Sequence, residues 1–284
     1  MCGIFGIARF KHCKVKPAII RMILRNLAVA SKIRGKDATG YAFTGNKNIT
    51  IFKHNVFADA FVELPNYKEV VRNNISSSDI FGTPYSVIGH TRMQTQGHNS
   101  NPFNNHPIKT GSIVGVHNGQ ISNDRSIFED LRKNDITRIA EVDSEAIFSL
   151  VDYHSKIFKT TTTHKQVSVL VPIKDPTTKA IIQASKKLRG SYACALVDAD
   201  NPKSLWLFKN NGSLTVHYYE EEGLLIFASA ESFIEKAITL YNFNSCNSIA
   251  VEADSGICVN IETGIYNAFK LESFTISNSR YMCY

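Results

Sequence analysis

Met1-Cys2-Gly3-Ile4-Phe5-Gly6-Ile7-Ala8-Arg9-Phe10 opens the chain, and its reading decides what the rest must be. Residues 3–10 form an apolar, glycine-spaced run short enough for a buried strand. Directly before that strand stands a thiol. If an aminopeptidase removes Met1, Cys2 carries both a nucleophilic sulfur and a free α-amine. Reference pKa values are about 7.7–8.0 for such an amine and about 8.5 for a cysteine thiol. Near neutral pH the amine can therefore take the thiol proton, directly or through a water. That is the logic of a nucleophile activated by its own N-terminus. Gly3 lets backbone and substrate approach closely. A cysteine at position 2 also occurs by chance, so the reading depends on what the other segments bring to it.

Pro17 suits a helix start, and Ile19, Ile20, Ile23, Leu24 and Leu27 recur at helical spacing. Residues 34–40 form a polar loop punctuated by Gly35 and Gly40. Strands are expected at 41–44 and 49–54 around Gly45-Asn46-Lys47-Asn48, and a surface loop at 72–84. A strand at 85–89 delivers His90 through Gly97; a polar loop follows at 98–110. Residues 113–117 read as a strand ending at Asn118-Gly119, a dipeptide that alone favours a hairpin turn. Helices are expected at 122–132, after Asp143 as a capping residue, near 177–187 and at 230–240. The threonine-rich stretch 155–166 reads as a surface connection. Further strands fall at 193–198, 204–209, 214–219, 224–229, 248–252, 256–261 and 265–271. Strands dominate both ends and no linker divides the chain. The expectation is one α+β domain over residues 1–284, with stacked sheets.

Composition limits the function classes. The chain has 43% hydrophobic and 20% charged residues, as globular proteins do, and no apolar run long enough for a membrane span. Arg9, Lys11, Lys14 and Lys16 interrupt any leader-like stretch. The six cysteines form no CxxC pair, which disfavours metal ribbons and disulfide frameworks. A reducing cytoplasm fits and would keep Cys2 a thiol. The net charge of +7 is concentrated in residues 1–75, which hold 13 Lys/Arg against 4 Asp/Glu. Thirteen cations over that length form no dense tract, so a solvated surface is favoured over nucleic-acid binding.

Five motifs occur in order: Cys2-Gly3-Ile4-Phe5-Gly6, Arg34-Gly35-x-Asp37-x-x-Gly40, Gly89-His90-Thr91-Arg92, His117-Asn118-Gly119 and Asp143-Ser144-Glu145. Together they resemble the glutaminase domain of class II glutamine amidotransferases, N-terminal nucleophile hydrolases best known at the front of glucosamine-6-phosphate synthase. The resemblance covers roughly residues 2–270 and implies a four-layer αββα sandwich. It also implies roles. Cys2 attacks the amide of L-glutamine, and Asn118 and Gly119 hold the oxyanion. Arg92 grips the α-carboxylate, Asp143 pairs with the ammonium, Thr95 adds a contact, and Arg34 lies close to the nucleophile. The family needs no metal or cofactor, so His90, His106 and His117 are read as structural.

Met93 and Gln96 depart from the aromatic and histidine many members carry after the Gly-His-Thr-Arg motif, which alters the loop over the site. The chain also stops about where the glutaminase domain should. The first expectation is a subunit passing ammonia in trans to a separate ammonia-accepting synthetase, with oligomerisation left open. A stand-alone amidohydrolase cleaving γ-glutamyl amides of a larger substrate is the alternative. A degenerate binding domain is a third, disfavoured because Cys2, Arg92, Asn118, Gly119 and Asp143 are all present.

Overall fold

The first strand, β1 (Gly3–Arg9), is buried along its whole length. Phe5 and Ile7 enter one core cluster and Ile4 and Ala8 another. A strand covered on both faces has no polar side to show, hence the unbroken apolar run. The computed structural model that shows this describes residues 2–45, 48–76, 82–162, 175–243 and 246–273. Met1, the turn residues Asn46 and Lys47, part of the expected 72–84 loop and residues 163–166 of the expected connection lie outside them.

After β1 come α1 (Pro17–Ser31), β2 (Ala38–Thr44), β3 (Ile49–His54), the short α2 (Ala58–Phe61), α3 (Tyr67–Asn74) and β4 (Tyr85–Arg92). The middle holds β5 (Ile108–Thr110), β6 (Ile113–Ile121), α4 (Asp124–Arg132), α5 (Ser144–Thr162) and α6 (Pro176–Ser185). The chain continues with β7 (Gly190–Asp198), β8 (Asn201–Lys209), β9 (Thr215–Tyr219), β10 (Leu224–Ala228) and α7 (Glu231–Ile238). It closes with β11 (Asn247–Ile249), β12 (Ser255–Asn260) and β13 (Tyr266–Lys270).

Two antiparallel sheets result, ordered β11-β9-β10-β1-β4-β2-β3 and β13-β12-β8-β7-β6-β5. Ile4, Ala8 and Ile88 of the first meet Val114, Val116, Ala195 and Leu207 of the second in a core between the sheets. The outer face of the first sheet packs Phe5, Ile7 and Val87 under Leu24 and Leu27 of α1 and Phe233 of α7. The outer face of the second packs Cys194, Leu196 and Trp206 under Phe148 and Val151 of α5 and Ile181 of α6. Helices, sheet, sheet, helices: this is the four-layer order expected.

Four local expectations need correction. Helices α2 and α3 stand in a stretch that carried no strong periodic signal, and α3 runs into the expected 72–84 loop. Residues 155–162 continue α5, with Thr160 and Thr161 hydroxyls bonding carbonyls of the preceding turn. Threonine's weak helix preference is overridden there by an apolar face that packs on the second sheet. β2 begins at Ala38, earlier than 41, because β4 pairs with it up to Arg92. Finally β6 does not turn at Asn118-Gly119; it runs on to Ile121, paired throughout with β7.

Candidate active site

Strand pairing gathers the motifs at one end of the sandwich. Gly3 pairs with Thr91, and Ala38 with Arg92, so the start of β1, the end of β4 and the loop before β2 share an edge. Side chains alternate along a strand. Ile4 and Ala8 face the second sheet, so Cys2 is turned the same way; Ile88 does too, and with it His90 and Arg92. On the opposing sheet Val114 and Val116 face the first, and Asn118 follows them. His90 Nε2 bridges the sheets to the His117 carbonyl oxygen at 3.1 Å. Cys2, Arg92 and Asn118 thus face one gap.

The thiol of Cys2 is cradled by Met93: its sulfur accepts the Met93 N–H at 3.4 Å and donates to the Met93 carbonyl at 3.5 Å. Burial pushes the thiol pKa up; the Met93 contact and the Arg92 charge pull it back, and the Asp143 charge pushes it further up. Both charges therefore act on the sulfur, in opposite senses. A thiol in this state needs a base to become a nucleophile.

The Arg92 side chain is buried. Its Nη1 donates to Asn105 Oδ1 at 2.9 Å, and its Nη2 to the Gln96 and Gly97 carbonyls at 2.6 and 2.5 Å. The loop is held from the other side by Asp37, whose Oδ2 accepts the Gln94 N–H at 2.6 Å and whose carbonyl accepts from the Asn99 side chain at 2.9 Å. Asp37 N–H in turn donates to the Arg92 carbonyl at 2.9 Å. Thr95 stands exposed on this loop. Arg34 lies beside the start of β1: its Nη2 reaches the Ser229 carbonyl at 3.4 Å, and Ser229 Oγ accepts the Ile4 N–H at 2.9 Å.

On the second sheet the segment Asp143-Ser144 grips β6 on both sides of Asn118-Gly119. Ser144 Oγ bonds His117 Nδ1 at 2.8 Å, and Asp143 Oδ2 accepts the Ile121 N–H at 2.6 Å. Asp143 stands directly before α5, as expected, and its carboxylate serves both elements: Oδ2 takes the Ile121 N–H of β6, and Oδ1 accepts from Ser144 Oγ at 3.5 Å at the start of α5. The backbone of Tyr192, the β7 partner of Gly119, is taken on the far side: its N–H by Asn210 Oδ1 at 2.8 Å and its carbonyl by the Asn210 N–H at 3.1 Å. In an antiparallel pair this leaves the Gly119 N–H on the outer edge, beside that of Ile121. β5 covers that edge only as far as Gly115, so among the described residues no strand covers it at Gly119. The Asn118 side chain is buried and makes no hydrogen bond among the described residues. Gly119 has φ +147°, and a Cβ there would collide with the Ser191 carbonyl.

His90 and His106 stack at 4.1 Å between ring centroids, both buried. Burial lowers the His90 pKa to about 3 and holds His106 well below the ordinary range. The folded protein therefore carries these rings neutral while the unfolded chain protonates them below about pH 6.5. Stability is fully present above that pH and falls as pH drops toward the folded values, by about 1.4 kcal/mol per unit per histidine. Calorimetric Tm should fall clearly between pH 7 and 5. His106→Phe, which keeps a stacked ring and removes two buried nitrogens that lack hydrogen-bond partners among the described residues, should flatten that fall. An unchanged slope would mean that His106 titrates normally.

Asp37 and Ser144 stand inside motifs that assign them no task, and no motif contains Asn105 or Ser229. Residue parity counted from the apolar positions of β1, β4 and β6 is the signal in the sequence that would put Cys2, Arg92 and Asn118 on one face. Nothing comparable marked the asparagines of the 98–105 loop.

Among known proteins, the chain is 29% identical over 269 residues to the glutamine–fructose-6-phosphate aminotransferase (isomerizing) of Thermococcus kodakarensis, covering 93% of this chain and 38% of that one. It is 31% identical over 236 residues to the enzyme of the same name from Staphylococcus epidermidis, covering 81% of this chain and 32% of that one. It thus spans about a third of the length of these relatives. In fold it is similar to the glutamine phosphoribosylpyrophosphate amidotransferase of B. subtilis, with TM-score 0.60 and 16% identity, over 95% of this chain and 49% of that one. A second structure, an allosteric regulatory enzyme of purine biosynthesis, matches at TM-score 0.62 and 17% identity, again over 95% and 49%. The model of the glutamine amidotransferase domain family matches residues 90–236, just over half of the chain, which therefore belongs to that family.

Proposed function

We propose that this protein hydrolyses the side-chain amide of L-glutamine to glutamate and ammonia, with Cys2, exposed by removal of Met1, as the nucleophile. The α-amine of Cys2 takes the thiol proton, and the sulfur attacks the amide carbon. The resulting oxyanion is met by the Asn118 side-chain N–H and the Gly119 backbone N–H. The carbon–nitrogen bond then breaks; ammonia leaves with the amine's proton, and a γ-glutamyl thioester remains on Cys2. Water, deprotonated by the same amine, attacks the thioester, and glutamate departs as the thiol is restored. Arg92 binds the α-carboxylate, Asp143 the ammonium, Thr95 adds a contact, and Arg34 supports the strand that carries Cys2. The observation that carries this reading is the common orientation of Cys2, Arg92 and Asn118 toward one gap, with an open N–H at Gly119 beside it.

The Arg92 guanidinium donates to two loop carbonyls in the free protein. A carboxylate is a stronger acceptor than a carbonyl. Substrate binding should therefore exchange those bonds and shift the 93–97 loop. Arg92→Ala is expected to raise KM for glutamine about 10- to 100-fold, as for loss of hydrogen bonds to a charged group, with a smaller fall in kcat. Initial-rate kinetics check this, and an unchanged KM would remove Arg92 from the substrate site. The wider reading is tested by intact mass for Met1 removal, together with an assay of glutamate release. A protein that lacks Met1 and still releases no glutamate, with or without an acceptor, overturns it.

On this reading the ammonia has an acceptor. We take it to be a separate enzyme supplied in trans, in the cytoplasm, where a reducing environment preserves the thiol. Ammonia released to water at neutral pH is mostly ammonium, which is not a nucleophile, so direct transfer has a purpose. An open hollow of about 600 Å³ beside Gln96, Gly97 and His98, walled by Arg125 and Arg138, favours a second reading. There the γ-amide belongs to a larger molecule. Comparing kcat/KM for glutamine with that for γ-glutamyl amides separates the two.

A further inference from the structure

We infer that Asn104 is a positioning residue for the amino-acid end of the substrate, clasping the loop that takes up Arg92 to the segment that leads into Asp143. This rests on the assignment of Arg92 and Asp143 to the substrate's carboxylate and ammonium. Asn104 is wholly buried, although residues 93–96, Phe103, Ile139 and Glu141 around it in the chain are exposed. Its Nδ2 donates to the His98 carbonyl at 3.0 Å and to Glu141 Oε2 at 2.7 Å, while its Oδ1 accepts the Glu141 N–H at 2.8 Å. One side chain thus grips both the backbone and the carboxylate of Glu141. A carboxylate in its place would have no N–H to give, and a hydroxyl would have one donor for two acceptors.

On the loop side, His98 follows Gly97, whose carbonyl, like that of Gln96, accepts from Arg92 Nη2. Gly97 has φ +71°, and a Cβ there would meet the Asn104 amide nitrogen at 2.7 Å and Glu141 Cβ at 3.0 Å, so the loop backbone lies directly against the clasp. The next residue, Asn105, accepts from Arg92 Nη1 and donates to the Asn99 carbonyl at 2.7 Å. On the other side the segment before Asp143 is itself pinned. Arg138 donates through Nε to the Ala140 carbonyl at 2.7 Å and through Nη2 to that of Glu141 at 2.6 Å. The Glu145 carboxylate of α5 accepts the Ile139 N–H at 2.9 Å and the Ala140 N–H at 2.5 Å. The loop is therefore fastened through Asn104 to a segment already fixed at the start of α5.

Electrostatics place the two sides together as well. Burial disfavours the Arg92 cation, and the charges of Cys2, Asp37, Asp143 and Glu141 favour it, so the Glu141 carboxylate is felt at Arg92. The carboxylate and the ammonium of a free amino acid hang on one carbon. Their two partners must therefore keep one separation, yet one ends β4 and the other precedes α5. Asn104 supplies a tie between those elements. Its loss should let the loop drift and weaken the grip on the amino-acid end. The scissile amide lies at the other end of the molecule, beside Cys2 and Asn118, so binding should suffer more than the chemical step.

The test is initial-rate kinetics on the full chain, with glutamate as product inhibitor. Asn104→Ala should raise KM for glutamine and the inhibition constant of glutamate together, by about tenfold, with kcat within about threefold of wild type. Asn104→Asp keeps the shape but sets a second carboxylate against Glu141. Two carboxylates so close share one proton, and the last proton leaves at a raised pH. The clasp then holds while that proton is bound and is repelled open once it is lost, so KM relative to wild type should rise from pH 6 to pH 8. The double variant Asn104→Asp, Glu141→Gln restores one amide and one carboxylate. It should recover most of the affinity at pH 8 and remove the added pH dependence. If Asn104→Ala melts too low to assay, this pH dependence and its rescue decide the matter. A fall in kcat at unchanged KM in Asn104→Ala overturns the inference, as does an Asn104→Asp profile parallel to wild type or a double variant no better than Asn104→Asp. A normal KM in Arg92→Ala, by contrast, overturns the reading of the substrate site and this inference with it.

Discussion

Cys2→Ala should abolish glutamine hydrolysis, with kcat down by at least about 10⁴-fold, while folding stability changes by no more than about 1 kcal/mol. The asymmetry follows from where the residue stands. Cys2 precedes β1, is only partly buried and belongs to none of the three core clusters. Loss of its sulfur removes the contacts with Met93 but no packing. Loss of the nucleophile, by contrast, removes the thioester route, and no other residue takes its place. A second protein separates the thiol from the amine: one with a non-cleavable extension before Cys2. Its thiol remains and still reacts with iodoacetamide, but its α-amine has become an amide. If the amine is the base, turnover should fall nearly as far as in Cys2→Ala. Full activity in the extended protein would show that the base is another group. Full activity in Cys2→Ala would remove Cys2 from the mechanism.

How much of this was legible in the sequence depends on whether local pattern or tertiary pairing decided the structure. β1 was readable because burial on both faces leaves an apolar run, and α1 because its leucines and isoleucines recur at helical spacing. The path of β6 was not. Asn-Gly is a strong turn signal, and only nine consecutive pairings with β7 keep the chain extended through it. Helices α2 and α3 escaped notice because they are short, with four and eight residues, and bury little. Of the site, the residue types were legible and their support was not. That Asp37 holds Gln94, that Ser144 holds His117, and that Asn105 receives Arg92 are contacts across 57, 27 and 13 positions. Spacing along the chain cannot predict them, because they exist only once β1, β4 and β6 have found their partners.

The second large effect should come from the oxyanion donors, and the two differ in a way that tests the geometry. Asn118→Ala removes a side-chain donor that makes no hydrogen bond among the described residues, so its cost to folding should be under about 1 kcal/mol. Its cost to catalysis should be large: on the order of 10²–10³ in kcat, as for other single oxyanion donors, with KM little changed. Gly119→Ala keeps the backbone N–H yet should lose both activity and stability. At φ +147° an added Cβ runs into the Ser191 carbonyl, so β6 must move away from β7 and carry the N–H with it. Ser144→Ala, which releases His117 but leaves both donors in place, should give an intermediate fall in kcat, and Ser144→Thr should restore most of it. Thermal melts alongside steady-state kinetics distinguish the cases. A kcat within tenfold of wild type in Asn118→Ala would mean that the charge is stabilised elsewhere. A Gly119→Ala protein as stable and active as wild type would mean that the backbone at the end of β6 is not fixed as described.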